Sequence, residues 1–315
     1  MPTPAIECSG TAIANFQQLR IRAQAAGPKR VGVVVADDEV ALLAAASAAD
    51  QGIAVAVLFG DESRIRAKLV QVGTPQLLDK AQFIHAPEPA LAANAASQMA
   101  RDGKVDILLK GHLRTDELLR AALDKQNGLR TGRLLSDVLL YEDTLSGETR
   151  LVGMSDGGMN VAPTLEQKKQ IVLNAVTVMH ALGIARPKIA IMSATEVVTD
   201  SVPSTIDAKL LSELGTSGEF GEADVYGPLA LDNALLESAA KAKGITNPVA
   251  GHADCMIVSN IEAGNLLGKA VKYLGRSQCA HVIVGARVPI LIPSRVESVD
   301  DKLNSVALGV LAHGA

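Results

Sequence analysis

The chain has no tryptophan, and aromatic residues fill only 2% of its 315 positions. Platforms that stack bases or sugars need such rings, so base- or sugar-stacking surfaces are not expected. Basic residues are scattered, no run exceeds a pair such as Lys168-Lys169, and the net charge is −4. Nothing therefore resembles an electrostatic footprint for nucleic acid. The three cysteines, Cys8, Cys255 and Cys279, form an odd set without C-x-x-C or metal spacing. A reduced, cytoplasmic compartment is the simplest expectation. No basic n-region followed by an apolar stretch marks a secretion signal. No apolar run reaches the ~18–20 residues of a membrane span. Several signatures are also missing: G-x-x-x-x-G-K-[ST], G-x-S-x-G, H-E-x-x-H, and G-x-G-x-x-G after the first strand, where Val34-Val35-Ala36-Asp37-Asp38 has no glycine. These absences argue against nucleotide hydrolysis, serine hydrolysis, zinc proteolysis and Rossmann dinucleotide chemistry.

What is present is a large apolar content, 48% of residues, enough for two ordinary domains. Apolar, β-branched runs predict strands at Arg30–Ala36, Ile53–Phe59, Val105–Leu109, Leu134–Tyr141, Arg150–Met154, Lys188–Met192, Met256–Val258 and His281–Val284. Ala/Leu-rich patterns between them predict helices, from Asp38–Gln51 to Val299–Leu311. Near-continuous apolar strands alternating with helices indicate an α/β fold whose mainly parallel sheet is covered on both faces. Asp37-Asp38 and Thr164 suit helix starts; Gly183 and Gly244 suit helix ends. The glycine-rich stretch from Thr216 to Pro228 reads as a loop or a strand entry. No Pro/Gly/Ser-rich linker marks a domain boundary.

The most informative segment is Pro293-Ser294-Arg295-Val296-Glu297-Ser298-Val299-Asp300-Asp301. It lies between the apolar run Val282 to Ile292, read as a buried strand, and an amphipathic helix. Ligands of open α/β sheets bind at that strand-to-helix edge, and a helix start offers N–H groups to an anion. Arg295 opposes the helix dipole there, so it points to an anionic ligand, with a salt bridge to Glu297 or Asp301 as the plain alternative. Ser298 and Asp301 fit a capping box, which competes with a functional role for Asp301. Three further polar clusters follow predicted strands: Lys110-Gly111-His112-Leu113-Arg114-Thr115-Asp116, Ser155-Asp156-Gly157-Gly158-Met159-Asn160 and Ser193-Ala194-Thr195-Glu196. Together the four suggest one polar cleft. Taken singly, Asp156-Gly157-Gly158 can be a tight turn and His112 a turn histidine. Arg130 and Arg133, between Gly128 and Gly132, suit either phosphate or plain solvation. His85, His180, His252, His281 and His313 have no spaced partners and read as structural.

Several segments then resemble one family. They are Asp254-Cys255-Met256-Ile257-Val258-Ser259-Asn260-Ile261-Glu262-Ala263-Gly264-Asn265, Gly285-Ala286-Arg287-Val288-Pro289 followed by Ser294-Arg295, Leu108 to Leu118, Asn160-Val161-Ala162-Pro163, Pro203-Ser204-Thr205-Ile206-Asp207-Ala208, and Gly227-Pro228-Leu229-Ala230-Leu231-Asp232-Asn233-Ala234. Taken in chain order, over roughly residues 30 to 310, they resemble the phosphate acetyltransferase/phosphate butyryltransferase family, nearer its short butyryltransferase-like branch. The resemblance implies two α/β domains with mainly parallel sheets around a deep interdomain cleft, an isocitrate/isopropylmalate dehydrogenase-like architecture. Residues 1–143 plus 284–315 would form the first domain and 144–283 an inserted second. It implies a homodimer that exchanges acyl groups between acyl phosphate and coenzyme A, releasing or taking up inorganic phosphate. Coenzyme A would be a substrate, with no cofactor and no metal.

On matching positions, the resemblance gives Ser294 and Arg295 the oxyanion and the phosphate. An aspartate seven residues after the serine serves as thiol base in the acetyltransferases, and Asp301 stands at that offset. Butyryltransferase-like relatives carry an acid three residues after the serine, where this chain has Glu297. The base is therefore Asp301 or Glu297, with Asp301 preferred. Substrate-binding candidates are Lys110, His112, Thr115, Arg130, Asp156, Asn160, Asn265 and Arg287. Tyr226 and Ser155-Asp156-Gly157-Gly158-Met159 depart from the family pattern. An acyl-CoA-binding regulatory module is the rival reading. A dehydrogenase of a phosphorylated hydroxy acid is a third, lacking the D-x-x-x-D cluster it would need beside Arg295.

Overall fold

The computed structural model describes residues 12–294 and 296–314. Cys8 and Arg295 lie outside the described residues. The chain divides into two compact units, one made of Gln17–Leu139 with Arg276–Gly314, the other of residues 12–16 with Leu140–Gly275.

The first unit opens with α1 (Phe16–Ala25), then β1 (Lys29–Val34), α2 (Glu39–Asp50), β2 (Ala54–Gly60), α3 (Glu62–Gln71), α4 (Leu77–Lys80), β3 (Gln82–His85), α5 (Pro89–Arg101), β4 (Ile107–Lys110) and α6 (Thr115–Ala122). Strand β5 (Ser136–Asp143) carries the chain into the second unit. There follow β6 (Arg150–Ser155), α7 (Leu165–Ala181), β7 (Lys188–Met192), α8 (Pro203–Thr216), β8 (Asp224–Leu229), α9 (Leu231–Leu235), α10 (Glu237–Ala242), β9 (Cys255–Ile257) and α11 (Ile261–Lys269), which runs into a π-helical turn, Ala270–Leu274. The chain returns to the first unit through β10 (Cys279–Val284), β11 (Ile290–Leu291) and α12 (Val299–Ala312).

In the first unit the strands run β3-β2-β1-β4-β11-β10, parallel throughout except for the antiparallel β10–β11 pair. In the second they run β6-β9-β7-β8, all parallel. The fold is therefore α/β with mainly parallel sheets, as the alternation of apolar strands and helices predicts. Inner strands such as β4 are buried on both faces, which is why they read as unbroken apolar runs.

The differences from the sequence reading have physical causes. The run Val282 to Ile292 is not one strand but a tight antiparallel pair. Gly285 has φ +99°, and a Cβ there would come within 2.2 Å of the Leu134 carbonyl oxygen, so this turn requires glycine. The stretch Asp224–Leu229 is a strand despite Gly227-Pro228, because β8 lies at a sheet edge where a missing N–H is tolerated. Strand β3 escapes periodicity analysis because none of its residues is fully buried.

Helix α12 is buried on nearly every side, including Asp301, Lys302, Asn304 and Ser305. Each polar group has a partner. Lys302 Nζ lies 3.1 Å from Asp38 Oδ1, and Asn304 Oδ1 accepts from Arg20 Nε at 2.8 Å. Asp38 also caps α2, accepting from the Ala41 N–H at 2.7 Å. Burial pushes the Asp38 carboxyl up, but the Ala41 N–H and the charges of Lys302 and Lys110 outweigh this and hold it below its ordinary value. The resulting stability is present above the unfolded carboxyl value of about 3.9 and is lost as pH falls through the lower folded value. Asp38→Ala strands the buried Lys302 charge and uncaps α2, so urea unfolding at pH 7 should show a loss of about 3 kcal/mol or more. Wild-type stability would show that the pair contributes nothing.

Candidate active site

The C-terminal edge of the first unit's parallel strands collects several candidate residues. Register pairs Ile290 with Leu108 and Leu291 with Leu109, so Ser294 and Lys110 leave the sheet at the same edge. The end of β1 joins them: Val34 and Val35 carbonyls accept the Gly111 and His112 N–H groups at 2.9 and 2.8 Å. Lys110 is buried and directs Nζ to the Leu113 carbonyl at 3.4 Å. His112 is exposed, with Nδ1 3.6 Å from Asp37 Oδ1, and Thr115 is the exposed first residue of α6.

Ser294 is exposed, and its backbone N–H donates to Glu297 Oε1 at 2.8 Å. Glu297 is only 8% exposed, and its other carboxylate oxygen, Oε2, is buried without any hydrogen-bond partner. Burial raises the Glu297 carboxyl, opposed by the His281 charge and the Ser294 N–H and reinforced by Asp301 and Asp137.

Asp301 is fully buried and saturated with donors. Its Oδ2 accepts from the Ser298 N–H at 3.0 Å and the Ser298 hydroxyl at 2.5 Å; its Oδ1 accepts from the Cys279 N–H at 2.9 Å. The capping box is therefore present, and Asp301 ties the start of α12 to the start of β10.

Two candidates lie elsewhere in this unit. Ala286 forms an antiparallel bridge with Arg130, the Arg287 N–H donates to the Leu129 carbonyl at 2.8 Å, and Thr131 Oγ1 donates to the Gly285 carbonyl at 2.6 Å. Both guanidinium groups are exposed, and neither is ion-paired to a described carboxylate. Because β10 and β11 are antiparallel, this turn sits at the opposite end of β11 from Ser294.

In the second unit the loop after β6 closes on itself. Asp156 Oδ1 accepts from the Gly158 and Met159 N–H groups, each at 2.9 Å, and Oδ2 accepts from Asn160 through its backbone at 3.2 Å and its amide at 2.5 Å. Asp156 thus shapes the turn that holds Asn160. Asn265 joins it, placing Nδ2 3.5 Å from the Gly157 carbonyl. The glycine of Glu262-Ala263-Gly264-Asn265 is explained by a close approach: a Cβ at Gly264 would fall 2.7 Å from the Gly157 Cα. The Ser193–Glu196 cluster also lies in this unit, where Glu196 pairs with Lys243 at 2.9 Å.

Sequence reading missed His281 and Asp137. His281 Nδ1 lies 3.3 Å from Asp137 Oδ2, and its Nε2 lies 3.7 Å from Glu297 Oε1. Burial works against the imidazolium, but Asp137, then Glu297 and Asp301, outweigh it and raise His281 to about 9. The available signal was a histidine within the apolar strand β10 and an aspartate near the start of β5. Cys255, by contrast, is fully buried; desolvation and Asp254 push its thiol far up, so it is a poor nucleophile.

Comparison with known proteins accounts for the shared segments. The chain is 38% identical over 302 residues to a phosphate butyryltransferase of Clostridium acetobutylicum, spanning 96% of this chain and 99% of that one. It is 37% identical over 299 residues to a phosphate acetyltransferase of Rhizobium meliloti, spanning 94% of this chain and 93% of the relative. A branched-chain phosphotransacylase from Enterococcus faecalis V583 superposes with a TM-score of 0.80 at 28% identity, covering 91% of this chain and 99% of that one. The sequence pattern described as phosphate acetyl/butaryl transferase matches residues 82–310, and the chain belongs to that family.

Proposed function

We propose that the protein transfers a short acyl group reversibly between acyl phosphate and coenzyme A, with acetyl, propionyl and butyryl as the candidate groups. The relatives named above are transferases, which favours turnover over a purely regulatory acyl-CoA-binding role. The observation that best supports a chemical role for the Ser294 edge is the orphaned Glu297 Oε2 beside an exposed serine. A buried acceptor without a donor is costly, and a substrate thiol would supply the missing partner.

In this reading Glu297 Oε2 takes the proton of the coenzyme A thiol, and the thiolate sulfur attacks the acyl carbon. Ser294 and Arg295 stabilise the tetrahedral oxyanion and the phosphate. Collapse breaks the bond from carbon to the phosphate oxygen, and the Glu297 proton passes to the departing phosphate. The products are the thioester and hydrogen phosphate, with no net proton change. Glu297 suits the base better than Asp301, because a carboxyl raised above its ordinary value accepts a proton more readily and Asp301 is occupied as a cap. Lys110, His112 and Thr115 fit substrate binding at the same edge. Arg130 and Arg287 fit an anionic end of the long coenzyme A molecule, and Asn160 and Asn265 fit substrate contacts in the second unit. Among the described residues no helix is long and apolar enough to cross a membrane, and none of their His, Cys, Asp and Glu side chains group as a metal site. A cytoplasmic homodimer without a cofactor fits this reading.

Purified protein given acetyl, propionyl or butyryl phosphate with coenzyme A should form a thioester, followed by its ultraviolet absorbance. Coenzyme A binding without thioester from any acyl phosphate would instead establish the regulatory role.

A further inference from the structure

We propose that His281, held by Asp137, is the positioning residue of the reaction: it keeps Glu297 ionised, with Oε2 free for the coenzyme A thiol. The inference deepens the transferase reading and rests on it. The three side chains come from β5, β10 and the turn before α12, and they form one line. Asp137 contacts Nδ1 of the ring at 3.3 Å, and Nε2 at the far side faces Glu297 Oε1 at 3.7 Å. Glu297 Oε1 therefore accepts from the Ser294 N–H and lies within ion-pair distance of the ring, whereas Oε2 faces no donor. Asp137 and Glu297 are both buried, and His281 is largely so.

The ring is also fixed from behind. The His281 backbone N–H donates to Ser305 Oγ at 2.9 Å, and that hydroxyl donates to the Asp301 carbonyl at 2.9 Å. Two strands and a helix thus determine where the imidazole points. The charged groups near it are Asp137 from β5, Glu297 from the turn and Asp301 from α12. The neighbouring charges on α12 are engaged elsewhere, Asp300 with Arg20 and Lys302 with Asp38.

Burial and the neighbouring aspartates raise the Glu297 carboxyl, and the imidazolium between Asp137 and Glu297 opposes that rise. At 3.7 Å the ring and Glu297 form an ion pair rather than a hydrogen bond, so the imidazolium acts on Glu297 through its charge, and Asp137 favours that charged form.

The test compares wild type, His281→Gln and Asp137→Asn. Each is assayed for kcat and KM across pH with acyl phosphate and coenzyme A. The acidic limb of kcat/KM reports the base. Loss of the imidazolium should move that limb to higher pH by about one unit and lower kcat at pH 7 by about two- to fivefold, with the KM for coenzyme A nearly unchanged. Asp137→Asn should move it in the same direction by less. Imidazole NMR of wild type supplies a readout independent of turnover: His281 should titrate well above an ordinary histidine, and lower in Glu297→Gln. An active wild type whose limb stays put in both variants overturns the positioning role alone, as does a His281 that titrates identically in wild type and Glu297→Gln. No thioester from wild type overturns the transferase reading and this inference with it.

Discussion

Glu297→Gln should lower kcat for thioester formation by about 10²- to 10⁴-fold, the usual contribution of a general base. The amide is close to isosteric, so it keeps the acceptor for the Ser294 N–H, and thermal unfolding should change little. Asp301→Asn should behave in the opposite way. Its amide would face the donors that now meet a carboxylate, the Ser298 and Cys279 N–H groups and the Ser298 hydroxyl. Losing a charged cap costs about 1–3 kcal/mol, with a thermal midpoint lower by several degrees and turnover largely preserved. The pair of variants separates the two carboxylates by two measurements, kcat and melting temperature. A large rate loss in Asp301→Asn with normal rates in Glu297→Gln would reverse the assignment.

Arg295→Ala should be the second severe variant. The acyl phosphate brings a dianion, and the tetrahedral intermediate adds a further developing charge. A guanidinium can meet two oxygens at once. Its removal should reduce kcat/KM by about 10²- to 10³-fold, and the KM for inorganic phosphate should rise in the reverse direction. Arg295→Lys should recover little, because a compact ammonium cannot reproduce the planar fork. Wild-type rates in Arg295→Ala would remove this residue from the mechanism.

Much of the fold was legible because its strands are buried on both faces and its helices are punctuated by ordinary caps. Apolar runs such as 107–109 in β4 and 189–192 in β7 carry their assignment locally. Edge strands did not, since partial exposure in β3 and Gly227-Pro228 in β8 erase the pattern. The hairpin between β10 and β11 was hidden for another reason. Its apolar residues continue across the turn, and only the backbone at Gly285 shows that the chain reverses.

The sequence by itself determined the chemistry on offer. It grouped Ser294, Arg295 and Glu297 within one turn, and it marked Asp301 as either a base or a cap. Offsets along a chain cannot choose between those roles, because the choice depends on which donors surround each carboxylate. Tertiary structure decided which donors those are. It filled Asp301 with the Ser298 and Cys279 donors, left Glu297 Oε2 without one, and brought in His281 and Asp137 from distant strands. A lone histidine acquires charged neighbours only through packing, and here those neighbours lie 144 residues away in Asp137 and across the final turn in Glu297.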